Sequence, residues 1–207
     1  YIFNSIFVVI VVIGCNIFLS PMVGYSLAKF RFPGREVLFL FIIATMMIPF
    51  NAIVIPLFLI IKRMGLINSY QGLIMPQVMT AFGIFLMRQF IRSIPDSYID
   101  AARIDGCGEF KIFLRIIFPL SRPAIITLMI LTFVANWNAF LWPLIILTSD
   151  VKKTLPLALA RYLSMYTNEW NLLMTASVIS CIPVLIFFFM FSSRFIEGMS
   201  GLSGLKE

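Results

Sequence analysis

Histidine is missing from this chain altogether, and only nine acidic residues stand against sixteen lysines and arginines. Without an imidazole the chain lacks the side chain that most often serves as general base, proton relay or metal ligand near neutral pH. Cysteine is scarce, with Cys15 and Cys181 in apolar runs and Cys107 in a polar stretch. None has a CxxC partner or a metal-ligand spacing, so neither a disulfide framework nor a metal site is expected. No Gly-x-x-x-x-Gly-Lys-Ser/Thr loop occurs, which excludes ATP binding by that route, and no cofactor motif takes its place. Charge is equally absent from the long apolar runs. Ion-coupled transporters carry titratable or ion-pairing groups at membrane depth, so any transport by this chain would draw its energy from a partner outside the bilayer.

What is abundant is apolar surface: 61% of the 207 residues are hydrophobic and 12% are charged, with a mean hydropathy of +1.01. Soluble domains do not have this composition. The charge-free runs are Tyr1 to Ala28, Val37 to Ile61, Met64 to Met87, Pro123 to Ser149 and Trp170 to Ser193. Each is as long as the roughly 20 residues that a helix needs to cross a hydrocarbon core. Five transmembrane helices are therefore expected, in one polytopic all-α domain over residues 1–207. Period-two alternation is absent and the runs are too long for barrel strands. Lys and Arg favour the cytoplasmic side near span ends. If Lys29, Arg31 and Arg35 are inside, alternation also places Arg88, Arg92, Arg103, Lys111, Arg115, Arg122, Arg194 and Lys206 inside, which is eleven of the sixteen basic residues. Lys62, Arg63, Lys152, Lys153 and Arg161 then lie outside. The net charge of +7 follows from this topology, and no basic patch is interleaved with aromatics as nucleic-acid binding would require. The same orientation puts Tyr1 outside, at the start of a span with no charged leader, and predicts a sixth, preceding span.

Pro21, Pro49, Pro56, Pro76, Pro143 and Pro183 interrupt the spans. Proline kinks a helix and frees a carbonyl, although it is also commoner in membrane helices generally. The fourth span carries Asn136-Trp137-Asn138 and Trp142-Pro143. Amides are costly in hydrocarbon unless they bond something. Asn136, Trp137 and Asn138 could line a path for a hydroxyl-rich solute, or the indoles could form an interfacial belt while the amides join helices.

The densest local signal lies in the polar stretch from Ile94 to Cys107. Pro95 ends the preceding helix, and Ser97 with Asp100 fits a capping box that starts a new one. Ala101 and Ala102 favour helix and leave a low surface, and Gly106 with Gly108 stops it. A second arm puts Phe110, Phe113, Leu114 and Ile117 at helical spacing, with Lys111 and Arg115 on the other side, before Pro119 leads into the next span.

These residues resemble the cytoplasmic signature of ABC-importer permeases, Glu-Ala-Ala, three residues, Gly, nine residues, Ile, one residue, Leu-Pro. The chain reads Asp100-Ala101-Ala102, Gly106, Ile116 and Phe118-Pro119 with every spacing kept. Asp replaces Glu and Phe replaces Leu. Together with Asn136-Trp137-Asn138, Trp142-Pro143-Leu144, the stretch Tyr25 to Arg35 and Thr154-Leu155-Pro156-Leu157, this is similar to the maltose-type, carbohydrate-uptake branch, second permease subunit. The resemblance implies a type I importer fold in the prokaryotic cytoplasmic membrane, working with ABC ATPase subunits, a second permease and an extracytoplasmic substrate-binding protein. It implies that the loop 92–118 docks on the ATPase through Ser97, Asp100, Ala101, Ala102, Asp105, Gly106 and Pro119. It also implies that the outer loop 149–169 meets the binding protein, with Arg161, Ser164 and Tyr166 as contacts.

The function expected is thus a permease subunit of an ATP-driven importer for sugars or sugar-like solutes, with hydrolysis on a separate chain and alternating access coupled through residues 97–106. Two alternatives remain. One is a membrane enzyme using Asp96, Asp100, Asp105 and Glu109 as a cytoplasmic carboxylate site, although no His or Cys joins them and Asp96, Asp100 and Asp105 share no helical face. The other is an ABC permease for a non-sugar solute.

Overall fold

The computed structural model describes residues 1–165 and 170–201, the side chains of 161–165, 172 and 192–201 excepted. Among the described residues every regular element is helical. In chain order these are α1 (Ile2–Lys29), α2 (Arg35–Met46), α3 (Phe50–Arg63), α4 (Tyr70–Ile74), α5 (Ala81–Ser93), α6 (Ser97–Ile104), α7 (Glu109–Ile112), α8 (Phe118–Leu120), α9 (Arg122–Trp137), α10 (Leu141–Ile146), α11 (Leu155–Met165) and α12 (Trp170–Gly201).

Three stretches, Ile2–Lys29, Tyr70–Ser93 and Leu173–Phe191, are long and apolar enough to span a membrane unaided. The expected five are reached when each of two bent pairs, α2 with α3 and the Glu109–Leu120 segment with α9, counts as one span. The breaks fall where backbone chemistry demands them. Pro49 caps α3 in extended conformation, and Pro76 sits in the 3-10 turn Met75–Gln77. Thr80 then restarts the helix by accepting from the Gly83 amide. Pro21, Pro56 and Pro183 are carried inside helices.

Two expected boundaries are corrected. The third run does not become helical at Met64, because α3 ends there in a turn with left-handed Gly65 and Asn68. Ser69 then caps α4 at Gly72. The fourth span is not continuous to Ser149, since helix stops after Trp137 and resumes at Leu141 as α10.

The chain divides into two compact units, each assembled from separate stretches. The first takes Tyr1–Gly14, Pro49–Val78 and Ile130–Ser192. Its core gathers Val8, Val12, Val54, Leu73, Trp142, Ile146 and Leu157. Asn4 in α1 ties it together, donating to the carbonyls of Val151 and Lys153 at 2.7 and 2.9 Å and accepting from the Tyr70 hydroxyl. Trp142 is buried and its indole N–H donates to the Leu73 carbonyl, so it joins helices instead of marking an interface.

The second unit takes Cys15–Ile48, Met79–Met129 and Ser193–Glu207. Its core gathers Tyr25, Met87, Ile91, Ile99, Ala102, Ile112, Phe113, Ile117 and Leu128. Gly24 lets α1 and α5 approach so closely that a Cβ there would sit 2.9 Å from the Arg88 amide nitrogen. A polar knot of Asn16, Ser20 and Thr80 joins the same helices. Every basic residue from Lys29 to Arg122 that topology assigned inside belongs to this unit. Lys62, Arg63, Lys152, Lys153 and Arg161 all fall in the other.

Candidate functional site

The polar stretch forms the helix it was expected to form, though not by the expected cap. The N-cap of α6 is Asp96, not Ser97, and neither makes a side-chain capping bond. Ser97 is the first helical residue and lies exposed. The Asp100 carboxylate turns to Arg103 at 3.3 Å instead of back to the helix start. The capping box is therefore not formed, because both acids find cationic partners that a backbone amide does not outbid.

The far end follows expectation. Gly106 takes φ +74, its amide donates to the Arg103 carbonyl at 3.0 Å and the Cys107 amide to the Ala102 carbonyl at 2.9 Å. This is the paired bonding of a Schellman stop, for which glycine is favoured. Asp105 is the C-cap.

Two lashings hold α6 to the end of α1 within the second unit. Lys29 donates to the Ile94 carbonyl and to Asp96 at 2.6 Å. Lys29 bonds and attracts the Asp96 carboxylate, which holds it below the ordinary carboxylate range. At the other end Glu109 accepts from the Tyr25 hydroxyl and from Arg103 Nε, each at 2.8 Å. The Glu109 bond raises the Arg103 guanidinium further above its already high pKa. Lys29, Arg31, Asp96, Asp100, Arg103 and Glu109 line an open cleft of about 620 Å³ beneath. Of the four acids considered for a carboxylate site, Asp96, Asp100 and Glu109 are engaged as ion-pair partners, and Asp105 is the helix C-cap.

Burial sorts the faces of α6. Ile99 and Ala102 point into the core, while Tyr98, Asp100, Ala101, Arg103 and Ile104 are exposed. Ile104 is 86% exposed. Of the alanine pair only Ala101 is available to a partner. Pro119 is half-buried, following a widened π turn at Phe113–Ile117 that closes with the Phe118 amide on the Phe113 carbonyl. Proline next in line has no N–H and would crowd the carbonyl four residues back.

Sequence reasoning missed a second ion pair. Arg88 in α5 is 3% exposed, yet its Nη2 reaches both Glu36 oxygens at 2.8 and 2.7 Å. Its Nε donates to the Leu27 carbonyl, and its guanidinium lies 3.6 Å from the Phe39 ring centroid. Arg88 follows directly on a charge-free run and so reads as a span-end residue. The i, i+4 pair Tyr25 and Lys29 on one polytopic helix was the available signal for the lashings.

The remaining candidates lie apart from α6. Trp137 is 2% exposed, stacked on Phe133 and donating to the Ser180 carbonyl, so neither indole face is open to a solute. Asn136 and Asn138 donate to Thr132 and Val134 carbonyls one turn back. Among the described residues the Asn136 carbonyl oxygen is buried without a partner, and Asn138 is exposed. Within the loop 149–169 expected to lie outside, α11 occupies Leu155–Met165. Arg161 and Ser164 lie on it with side chains outside the described set, and Tyr166 lies outside the described residues.

A helical chain with several candidate membrane spans and a braced surface helix is a multi-pass membrane protein. Residues 20–199 match the model of the binding-protein-dependent transport system inner membrane component family, and the chain belongs to that family. It is 38% identical over 203 residues to the arabinooligosaccharides transport system permease protein AraQ of Halalkalibacterium halodurans, covering 98% of this chain and 72% of the relative. It is 33% identical over 202 residues to the sn-glycerol-3-phosphate transport system permease protein UgpE of Yersinia enterocolitica, covering 95% and 71%. Among solved structures it superposes, with a TM-score of 0.82 and 30% identity, on a chain of a bacterial ABC transporter involved in the import of the acidic polysaccharide alginate, covering 93% of this chain and 73% of that one. The chain is a permease, not an enzyme.

Proposed function

We propose that this permease serves an ATP-driven importer of sugars or sugar-derived solutes, and that α6 transmits closure of separate ATPase subunits to the spans. A second permease and an extracytoplasmic substrate-binding protein complete the assembly. The observation that carries the coupling role is the bracing of α6: its start is tied to α1 by Lys29–Asp96 and its end through Glu109, which bonds both Arg103 and Tyr25, while Tyr98, Ala101 and Ile104 face outward. A partner that engages the outer face therefore pulls on α1. Ser97, Asp100, Asp105 and Gly106 lie on or beside that face, Ala102 packs into the core behind it, and Pro119 lies half-buried at the end of the second arm.

Cargo is the finer question. The long charge-free runs of the sequence and the amides of Asn136 and Asn138 suit a neutral, hydroxyl-rich solute, as does the kinship with AraQ. UgpE favours a phosphorylated polyol as the second reading. Arg161, Ser164 and Tyr166 are assigned to the binding-protein side. The test is to purify the assembled transporter carrying Ile104→Glu, which puts a charge on the most exposed apolar residue of α6. ATPase subunits should be lost while the chain still inserts. Retention of ATPase subunits and wild-type transport would refute coupling through α6. Uptake of labelled arabino-oligosaccharide against glycerol 3-phosphate by the reconstituted wild type decides the cargo.

A further inference from the structure

The second arm of the polar loop does not bury the face that its spacing suggested. Phe113 and Ile117 are buried as expected, but the third core position is Ile112. Phe110 and Leu114, expected beside them, stand 59% and 41% exposed. Lys111 and Arg115 are exposed one position further round. Among the described residues neither cation has an acidic partner within salt-bridge distance, and the stretch Phe110 to Leu120 contains no Asp or Glu. The outer face of this arm thus carries two large apolar side chains one turn apart, flanked by two cations one turn apart.

Its direction supplies the second observation. At Ser121 the Glu109–Leu120 segment bends 77° from α9. If α9 crosses the membrane, a segment nearly at right angles to it runs along the membrane plane. Leu120 and Arg122 are exposed at the bend, so the arm stays continuous with a lipid-facing span. An in-plane helix with apolar side chains on one flank and Lys or Arg on the next has the pattern of interfacial membrane helices, whose cations bind anionic headgroups.

We infer that the Glu109–Leu120 arm is an interfacial helix whose Phe110 and Leu114 enter the headgroup boundary and whose Lys111 and Arg115 bind anionic phospholipid. The inference rests on membrane residence of the chain and is independent of its cargo. Because Glu109 also holds Arg103 and Tyr25, the lipid-bound arm and the lashed α6 form one connected element, and leaflet charge would act on the coupling helix through it.

The experiment places an environment-sensitive fluorophore at Leu114→Cys, in a chain whose Cys15, Cys107 and Cys181 are replaced by alanine, within the assembled transporter in lipid nanodiscs. Brominated phosphatidylglycerol and brominated phosphatidylcholine, each diluted into the other unbrominated lipid, are compared as quenchers. Quenching by both is expected, with phosphatidylglycerol favoured by about fivefold per engaged cation at low salt. Lys111→Gln with Arg115→Gln should keep the quenching and bring the ratio close to one. A fluorophore at Tyr98→Cys on α6 should remain unquenched. Absence of quenching at 114, or equal quenching by the two lipids in the parent chain, overturns the inference. So does shielding of the probe only when ATPase subunits are bound, which would make the arm a protein contact. Substrate uptake measured in parallel reports separately on the transport reading.

Discussion

Gly106 offers the sharpest perturbation, because the structure separates two reasons for a glycine there. Its φ of +74 is left-handed, and an added Cβ would meet nothing within 4 Å. Inside this chain the whole cost of a side chain is therefore conformational, about 1 to 2 kcal/mol for alanine and more for a β-branched residue. A cost of that size shifts the fraction of intact Schellman stops by roughly 5- to 30-fold. The order of damage should be Gly106→Val, then Gly106→Ala, then Gly106→Asn, because asparagine tolerates the left-handed region. The assay is substrate-stimulated ATP hydrolysis and uptake in proteoliposomes, with hydrogen exchange at the Gly106 and Cys107 amides as the structural readout. Uptake should fall in the same order as amide protection. If Gly106→Asn fails as completely as Gly106→Val while both amides stay protected, the glycine serves close packing on a partner. If Gly106→Val transports at the wild-type rate, the stop has no part in coupling.

Three further outcomes are expected. Arg88→Lys keeps the charge but loses the Nε bond to Leu27 and the flat face over Phe39, and should lower stability in detergent by about 1 to 3 kcal/mol, read as a drop in thermal midpoint. Gly72→Ala would place a Cβ 2.2 Å from the Leu66 carbonyl oxygen, so the α3–α4 turn must shift, at about 3 kcal/mol; a wild-type melting curve would contradict this close approach. The Asp96 carboxyl has a folded-state pKa below its ordinary value, so its contribution is fully present above that ordinary value and disappears as pH falls through the folded pKa. Protection of the first turn of α6 should therefore be level from neutral pH down to the usual carboxylate range and fall below it, and Asp96→Asn should abolish the acid step.

The fold class was legible because charge-free runs of span length have few solutions in lipid, and the short helix α6 because Pro95 and Gly106 bracket it. The breaks were less legible. Charge alone does not distinguish a bilayer-length run from one that stops at Trp137 and resumes at Leu141, and the amides of Asn136 and Asn138 at this break read equally well as path-lining groups. Helix faces were obscured for a related reason: where lipid replaces water, outward residues are as hydrophobic as inward ones, so Ile112 and Leu114 exchange roles without leaving a trace in periodicity. The π turn moved that register further. Lys29 and Asp96, and Arg88 and Glu36, are far apart in sequence, and only tertiary structure pairs them.

The chain's order of synthesis gives Asn4 a particular problem. Its amide partners, the carbonyls of Val151 and Lys153, lie 147 and 149 residues later, and Ser5 likewise waits for the Leu155 amide. At roughly 5 to 20 residues per second, those partners emerge on the order of ten to thirty seconds after the start of α1 is made. Until then a polar side chain in an apolar helix must be hydrated near the membrane surface or sheltered by the insertion machinery. The first unit can close only after residues 151–155 have been translated, so its assembly lags well behind the synthesis of α1.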